Sequence, residues 1–191
     1  MNRMRHPRNL TRLLLLPLLL AGCRAPETTT VQVAPGVPFR LCPPEAGPDF
    51  FANQEVVFQF PGGRQETVMA AIENRGGGLS LVASSAMGQT LFIVRVKGTA
   101  VAVDARIPIP GDLDPRVLPA LVEFALWPVE ALRPGLGPEI ALAADGDRRT
   151  LTRRGKVVWT VVREGAAPPF RSMVLDNPAL GMSVRIRTLE D

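Results

Sequence analysis

From residue 54 onward, short runs rich in β-branched and aromatic residues end one after another at turn residues. "EVVFQF" stops at Pro61-Gly62-Gly63 and "ETVMAAIENR" at Gly76-Gly77-Gly78. "LSLVAS" leads to Met87-Gly88, "QTLFIVRV" runs into Gly98, and "TAVAVDA" closes the set. Strand-forming runs separated by glycines that tolerate positive φ predict an antiparallel meander. The triple glycine is a poor phosphate cradle, because a strand and not a helix follows it. A second series, "EIALAA", "RRTLTRR", "KVVWTVVRE", "RSMVLDN" and "GMSVRIRTL", reads the same way. In its last member Met182, Val184 and Ile186 share one face, with Ser183, Arg185 and Arg187 on the other, so this sheet has one wet side. "VVWTVV" and "LFIV" are apolar on both faces, as expected of strands wrapped by helices or lining an apolar cavity.

Between the two series lies one helix. Asp112 or Asp114 can cap it, and Pro115 falls near its first position. Val117, Leu118, Leu121, Val122, Ala125 and Leu126 recur at spacings of three and four, Pro119 lies in the opening turns, and Pro128 ends the segment. A shorter turn follows over 129–132. The fold class expected is α+β, mainly β.

The N-terminus is of another kind. Arg3, Arg5, Arg8 and Arg12 precede an apolar stretch over 13–21 that is interrupted by Pro17. A bilayer span needs about 20 apolar residues, so this stretch reads as a secretory signal. Leu20-Ala21-Gly22-Cys23 resembles the bacterial lipobox, which implies cleavage of residues 1–22 and acylation of Cys23. Two or three acyl chains would anchor the protein durably. Arg24, not Asp, at the next position points to the outer membrane and its periplasmic face. Residues 24–50 hold six prolines and read as an extended tether, or in part, over 37–41, as an edge packed on the domain. The globular domain is then expected over 51–191.

Processing also changes the charge. Removing four of the 22 basic residues leaves 18 against 18 acidic ones, so the mature chain has no global attraction for nucleic acid. Its only histidine, His6, leaves with the signal, and tyrosine is absent. No imidazole remains for general-base work, and no His/Cys cluster for zinc. No metal, no cofactor and no enzymatic activity are expected. Cys42 is the one thiol left, a packing residue, a free thiol or half of a bridge between chains.

Three segments carry a resemblance to the LolB family, the outer-membrane receptor of bacterial lipoprotein sorting. Within that superfamily they are most similar to a lipoprotein family found beside aryl-polyene biosynthesis genes. "SSAMGQTLFIVRVKGTAVAVD" is similar to the small-apolar-Gly turn, strand and hairpin of these proteins. "PVEALRPGLG" resembles their proline-led helix ending in Gly, and "GKVVWTVVRE" their Gly-Lys-x-x-Trp strand before a final strand like "SVRIRT". The resemblance implies an open, curved antiparallel sheet, close to half a barrel, whose concave face is plugged by helices. It also implies an apolar interior for acyl chains, and it places Met87 on the loop that enters the membrane. A methionine at a hairpin tip, where polar residues are usual, fits that use unless it folds back onto the core.

The candidate wall of that interior is Phe58, Phe60, Phe92, Val94, Val96, Leu121, Leu126, Trp159 and Val161. Trp127 and Trp159 read as core, although Trp159 could equally line a lipid pocket. Arg148, Arg149, Arg153, Arg154 and Lys156 form a basic run, either a solvated rim or a surface for lipid phosphates. No G-x-S-x-G elbow occurs. The function expected is an outer-membrane lipoprotein that receives or carries an acyl chain or other apolar cargo, supplied by a periplasmic carrier protein. The alternative is a scaffolding lipoprotein of a periplasmic complex, with a solid core.

Overall fold

The computed structural model describes residues 29–107 and 114–190. The expected signal, Cys23 and Asp112 lie outside them. The described chain starts with a small hairpin, β1 (Thr30–Ala34) and β2 (Val37–Arg40). A first meander follows: β3 (Phe50–Gln59), β4 (Gln65–Arg75), β5 (Gly78–Ser84), β6 (Thr90–Lys97) and β7 (Ala100–Ala105). Then come α1 (Val117–Leu126), the single turn α2 (Val129–Leu132), and a second meander. Its strands are β8 (Ile140–Asp145), β9 (Arg148–Arg153), β10 (Lys156–Glu164), β11 (Ser172–Asn177) and β12 (Met182–Thr188).

The two meanders join where β12 pairs with β3, Val184 opposite Phe58 and Ile186 opposite Val56. Among the described residues this makes one ten-stranded antiparallel sheet, β7-β6-β5-β4-β3-β12-β11-β10-β9-β8. It is curved and open, with β7 and β8 as its unjoined edges. The expected glycine turns hold it together. Gly76 and Gly77, with φ of 59° and 74°, make the two-residue link between β4 and β5, a geometry that any side chain would strain.

Strand alternation sets the inner face. On β3, Phe50, Ala52, Val56 and Phe58 are buried, and on β5, Leu79, Leu81 and Ala83. The two runs that are apolar on both faces have a local cause. Pairing of β10 with β9 shifts by one residue between Val157 and Trp159, and Val158 and Trp159 are consecutively buried. The same shift opposite Ala83 and Ser84 buries both Leu91 and Phe92. An extra residue turns two neighbours to one side of a sheet, so these runs mark bulges and not strands covered on both faces.

Helix α1 is apolar nearly all round because it is covered on two sides. Pro119 is its third residue, where an amide N–H would have no helical partner in any case. Asp114 does not cap the helix with its side chain. Its carboxylate accepts the Arg116 N–H at 3.0 Å and pairs with that guanidinium, while its carbonyl accepts the Val117 N–H.

The tether reading fails for residues 29–50. Val31, Val33, Val37, Phe39, Leu41 and Cys42 are buried in the common core. The Phe39 ring tilts onto Phe124 of α1 with centroids 4.6 Å apart, and the Trp159 Nε1–H donates to the Val33 carbonyl at 2.7 Å. Nor is this segment an edge of the large sheet: β1 and β2 form their own two-stranded sheet, with one isolated bridge from Phe39 to Leu136, and β1 lies against α1. The domain is three layers: sheet, helix, hairpin.

Candidate functional site

Between the inner face of the sheet and α1 lies a hollow. The helix contributes Leu118, Leu121, Val122, Ala125 and Leu126, one stripe at spacings of three and four. The sheet contributes from β3, β4, β5, β6, β11 and β12, including Phe58, Ala70, Ala83, Phe92, Met173 and Val184. Alanines make the room. Ala70 of β4 stands opposite Ala83 of β5, so the middle of the floor carries methyl groups where its neighbours carry larger side chains. The hollow holds about 660 Å³ of atom-free volume with the open mouth included, little of it wide enough for a water-sized molecule. A wall this apolar keeps such a space dry.

Four of the nine expected wall residues line it: Phe58, Phe92, Leu121 and Leu126. The other five do not. Val94 and Val96 are sealed in the close-packed core, because neighbouring side chains fill that part of the inner face. Trp159 is buried with its indole N–H on the β1 backbone, which excludes the alternative that it lines the pocket. Val161 is buried as well but outside the lining. Phe60 lies beyond the end of β3, stacked on Phe58 at 6.2 Å and covered by the Arg64 guanidinium at 4.6 Å. Sequence reasoning missed Gln54, which lines the hollow and is 1 % exposed.

Met87 does not fold back. It is 92 % exposed on the turn between β5 and β6, which the Gly88 N–H to Ser85 carbonyl bond and the Ser85 N–H to Gln89 carbonyl bond hold, both at 2.9 Å. The turn continues directly from Ala83 and leads into Phe92, two residues of the lining.

The basic run is divided. Arg149 is buried, and its Nη1 donates to the Phe124 carbonyl at 2.8 Å. Arg163, outside the run, donates to the Ala125 carbonyl at 3.4 Å. Both arginines thus hold carbonyls left free at the C-terminal end of α1. Burial, and then the nearby Arg163 charge, lower the Arg149 pKa to about 10, so it stays charged at neutral pH. Arg153 and Arg154 both pair with Glu139. Only Arg148 and Lys156 present exposed charge without such a pair among the described residues, so the five do not form one phosphate-facing surface.

One carboxylate is buried on the other side of α1. Glu123, 1 % exposed, accepts the Cys42 N–H at 3.0 Å. Burial pushes its pKa up to about 8, against the opposing pull of the bonds from Cys42. The Cys42 thiol donates to the Ala131 carbonyl at 3.2 Å, and burial with the adjacent Glu123 pushes its pKa up to about 12. A buried, protonated thiol is a packing group and a poor nucleophile, which argues against the bridge between chains. No three His, Cys, Asp or Glu side chains gather among the described residues as a metal would require.

No curated protein matches the sequence. Among solved structures, a LolA superfamily protein from Nitrosomonas europaea matches with a TM-score of 0.43 at 9% identity, over 77% of this chain and 88% of the other. An outer-membrane lipoprotein-sorting protein domain from Vibrio parahaemolyticus matches with a TM-score of 0.37 at 10% identity, over 73% and 83%. Residues 52–190, which include the whole large sheet apart from the start of β3 and all of α1, match the model of the family described as "Protein of unknown function (DUF3261)", and the chain belongs to that family.

Proposed function

We propose that this protein is a periplasm-facing lipoprotein, anchored in the outer membrane through acylated Cys23, whose hollow shelters an acyl chain or a similarly apolar group during delivery. The observation that carries this reading is the apolar hollow between α1 and the sheet. Little of that space admits a water-sized molecule while α1 rests on the sheet, so loading a whole chain requires α1 to shift outward. Uptake needs no bond made or broken. At about 25 cal/mol per Å², a few hundred Å² of apolar surface exchanged between two shelters amounts to several kcal/mol, enough to direct transfer. The role is that of a receptor or carrier for lipid or lipoprotein cargo, fed by a periplasmic partner, with no catalytic step. Met87, exposed beside the lining, is the group that dips into the membrane at delivery.

Native mass spectrometry of the full-length protein after gentle detergent extraction tests this. A reproducible adduct of lipid mass is expected. It should fall several-fold in Ala70→Phe, whose ring occupies the floor of the hollow. A clean protein mass in both would end the carrier reading and leave the scaffolding alternative.

Met87→Glu should fold and load normally, yet transfer cargo to vesicles at least several-fold more slowly, since a carboxylate resists entry into lipid. Unchanged transfer would remove Met87 from the mechanism.

A further inference from the structure

The hollow has one polar lining residue among those described, Gln54 on β3. An amide on the inward face of a strand between Ala52 and Val56 is chemically out of place. Its nitrogen is accounted for: Nε2 donates to Thr188 Oγ1 at 3.3 Å. The Thr188 hydroxyl spends its single proton on the Phe170 carbonyl at 2.7 Å, so its oxygen can only accept from the amide. This relay fixes which end of the side chain is nitrogen and which is oxygen. The oxygen, Oε1, is buried without a partner among the described residues. Leaving a buried acceptor unsatisfied is costly, whereas methionine would fill the same space without that cost.

The position of Gln54 suggests its use. It stands opposite Ala70, which stands opposite Ala83, which stands opposite Phe92, so the acceptor belongs to the row where the floor is lowest. The rows on either side, through Ile72 and Leu81 and through Val56 and Val68, are wholly hydrocarbon. A ligand lying along this floor meets grease, one acceptor, and grease again.

We infer that the hollow selects an acyl chain carrying a hydrogen-bond donor, a hydroxyl or an amide N–H, and that Gln54 Oε1 is the specificity-determining atom. This inference rests on the proposed carrier reading and narrows its cargo class. An unsubstituted fatty chain would leave Oε1 unpaired, while a donor-bearing chain satisfies it in a dry site.

The experiment uses the full chain and three uncharged probes of equal acyl length: methyl decanoate, methyl 3-hydroxydecanoate and N-methyldecanamide. Each displaces diphenylhexatriene, a hydrocarbon with no donor, as followed by fluorescence. The hydroxyl or the amide probe should bind about fivefold tighter than methyl decanoate, the factor one net hydrogen bond contributes. Whichever of the two does so identifies the donor. Gln54→Met should bring all three within twofold of one another. Thr188→Val, which unhooks the amide from its anchor, should shrink the preference even if the first variant folds poorly. Equal binding of all three probes to the wild type would overturn the inference while sparing the carrier reading, and would mean that a trapped water satisfies Oε1. Failure of diphenylhexatriene and every probe to bind would overturn both.

Discussion

A chain that starts at residue 51 will not fold to a stable domain, although it contains all of the matched family segment and every strand of the large sheet except the first residue of β3. Without β1 and β2, the outer side of α1 faces water. Six side chains buried by the hairpin and its continuation would be lost, each worth about 1.5–3 kcal/mol, against a typical total stability of about 5–15 kcal/mol. The loss is polar as well. The Trp159 indole would give up the Val33 carbonyl, and Glu123 the Cys42 N–H, leaving both groups facing apolar neighbours. The single substitution Phe39→Ala isolates part of this effect. Phe39 is 1 % exposed and tilts onto Phe124, so its truncation should lower stability by about 3–5 kcal/mol. Guanidinium unfolding monitored by tryptophan fluorescence measures it, since Trp127 and Trp159 are both buried near the hairpin or the segment that follows it. A shortened chain unfolding cooperatively at the full-length midpoint would make the hairpin an accessory and not a layer of the core.

The hairpin was nevertheless written in the sequence. Val31 and Val33, then Val37 and Phe39, alternate on either side of Pro35-Gly36, the pattern of two strands and a turn. Six prolines in the surrounding residues obscured it. Pro38 is tolerated because β2 belongs to a two-stranded sheet, where one side of each strand needs no backbone partner. Elsewhere the runs and their glycines located every strand of the large sheet to within a few residues, the exception being β3, which starts earlier. Gln54 fell outside the expected run "EVVFQF" for that reason. The apolar wall was harder to read, because period-two alternation identifies an inward face but not which part of it stays uncovered. That depends on where α1 lies and on which rows end in alanine. Val94, Val96 and Val161 face inward and are packed solid, while Ala70 and Ala83, which no hydrophobic pattern singles out, leave the gap. Trp159 followed the bulge at Val158 and the hairpin above it, two features set by register and not by composition.

Between pH 5 and pH 9 the protein should become steadily less stable, and Glu123→Gln should abolish most of that decline. The Glu123 carboxyl has a folded pKa of about 8 against an ordinary value of 4.5, because burial disfavours its charged form. The folded state therefore holds a proton that the unfolded state has released throughout that interval. Stability must fall as pH rises from the unfolded value, and it levels off above the folded one. The full excursion corresponds to roughly 4–5 kcal/mol, an upper figure for a group that water can reach when α1 shifts. Within this window no histidine among the described residues titrates, and burial with the adjacent Glu123 pushes the neighbouring Cys42 thiol up to about 12. Asp114 and Glu139, whose carboxyls sit below their ordinary range beside Arg116 and Arg154, act in the opposite sense and only at lower pH. Glutamine keeps an oxygen to accept the Cys42 N–H and carries no charge to bury. Chemical denaturation at pH 5 should thus find the two proteins alike, and at pH 9 the variant more stable by several kcal/mol. Because Glu123 sits on the helix that the proposed loading displaces, the same ionisation should loosen α1 in the wild type. Hydrogen exchange of the α1 amides, corrected for the intrinsic pH dependence, should then accelerate above pH 8 in the wild type and not in Glu123→Gln. Parallel stability profiles for the two proteins would show that Glu123 is charged in the folded state at pH 5, solvated by a route the buried geometry does not provide.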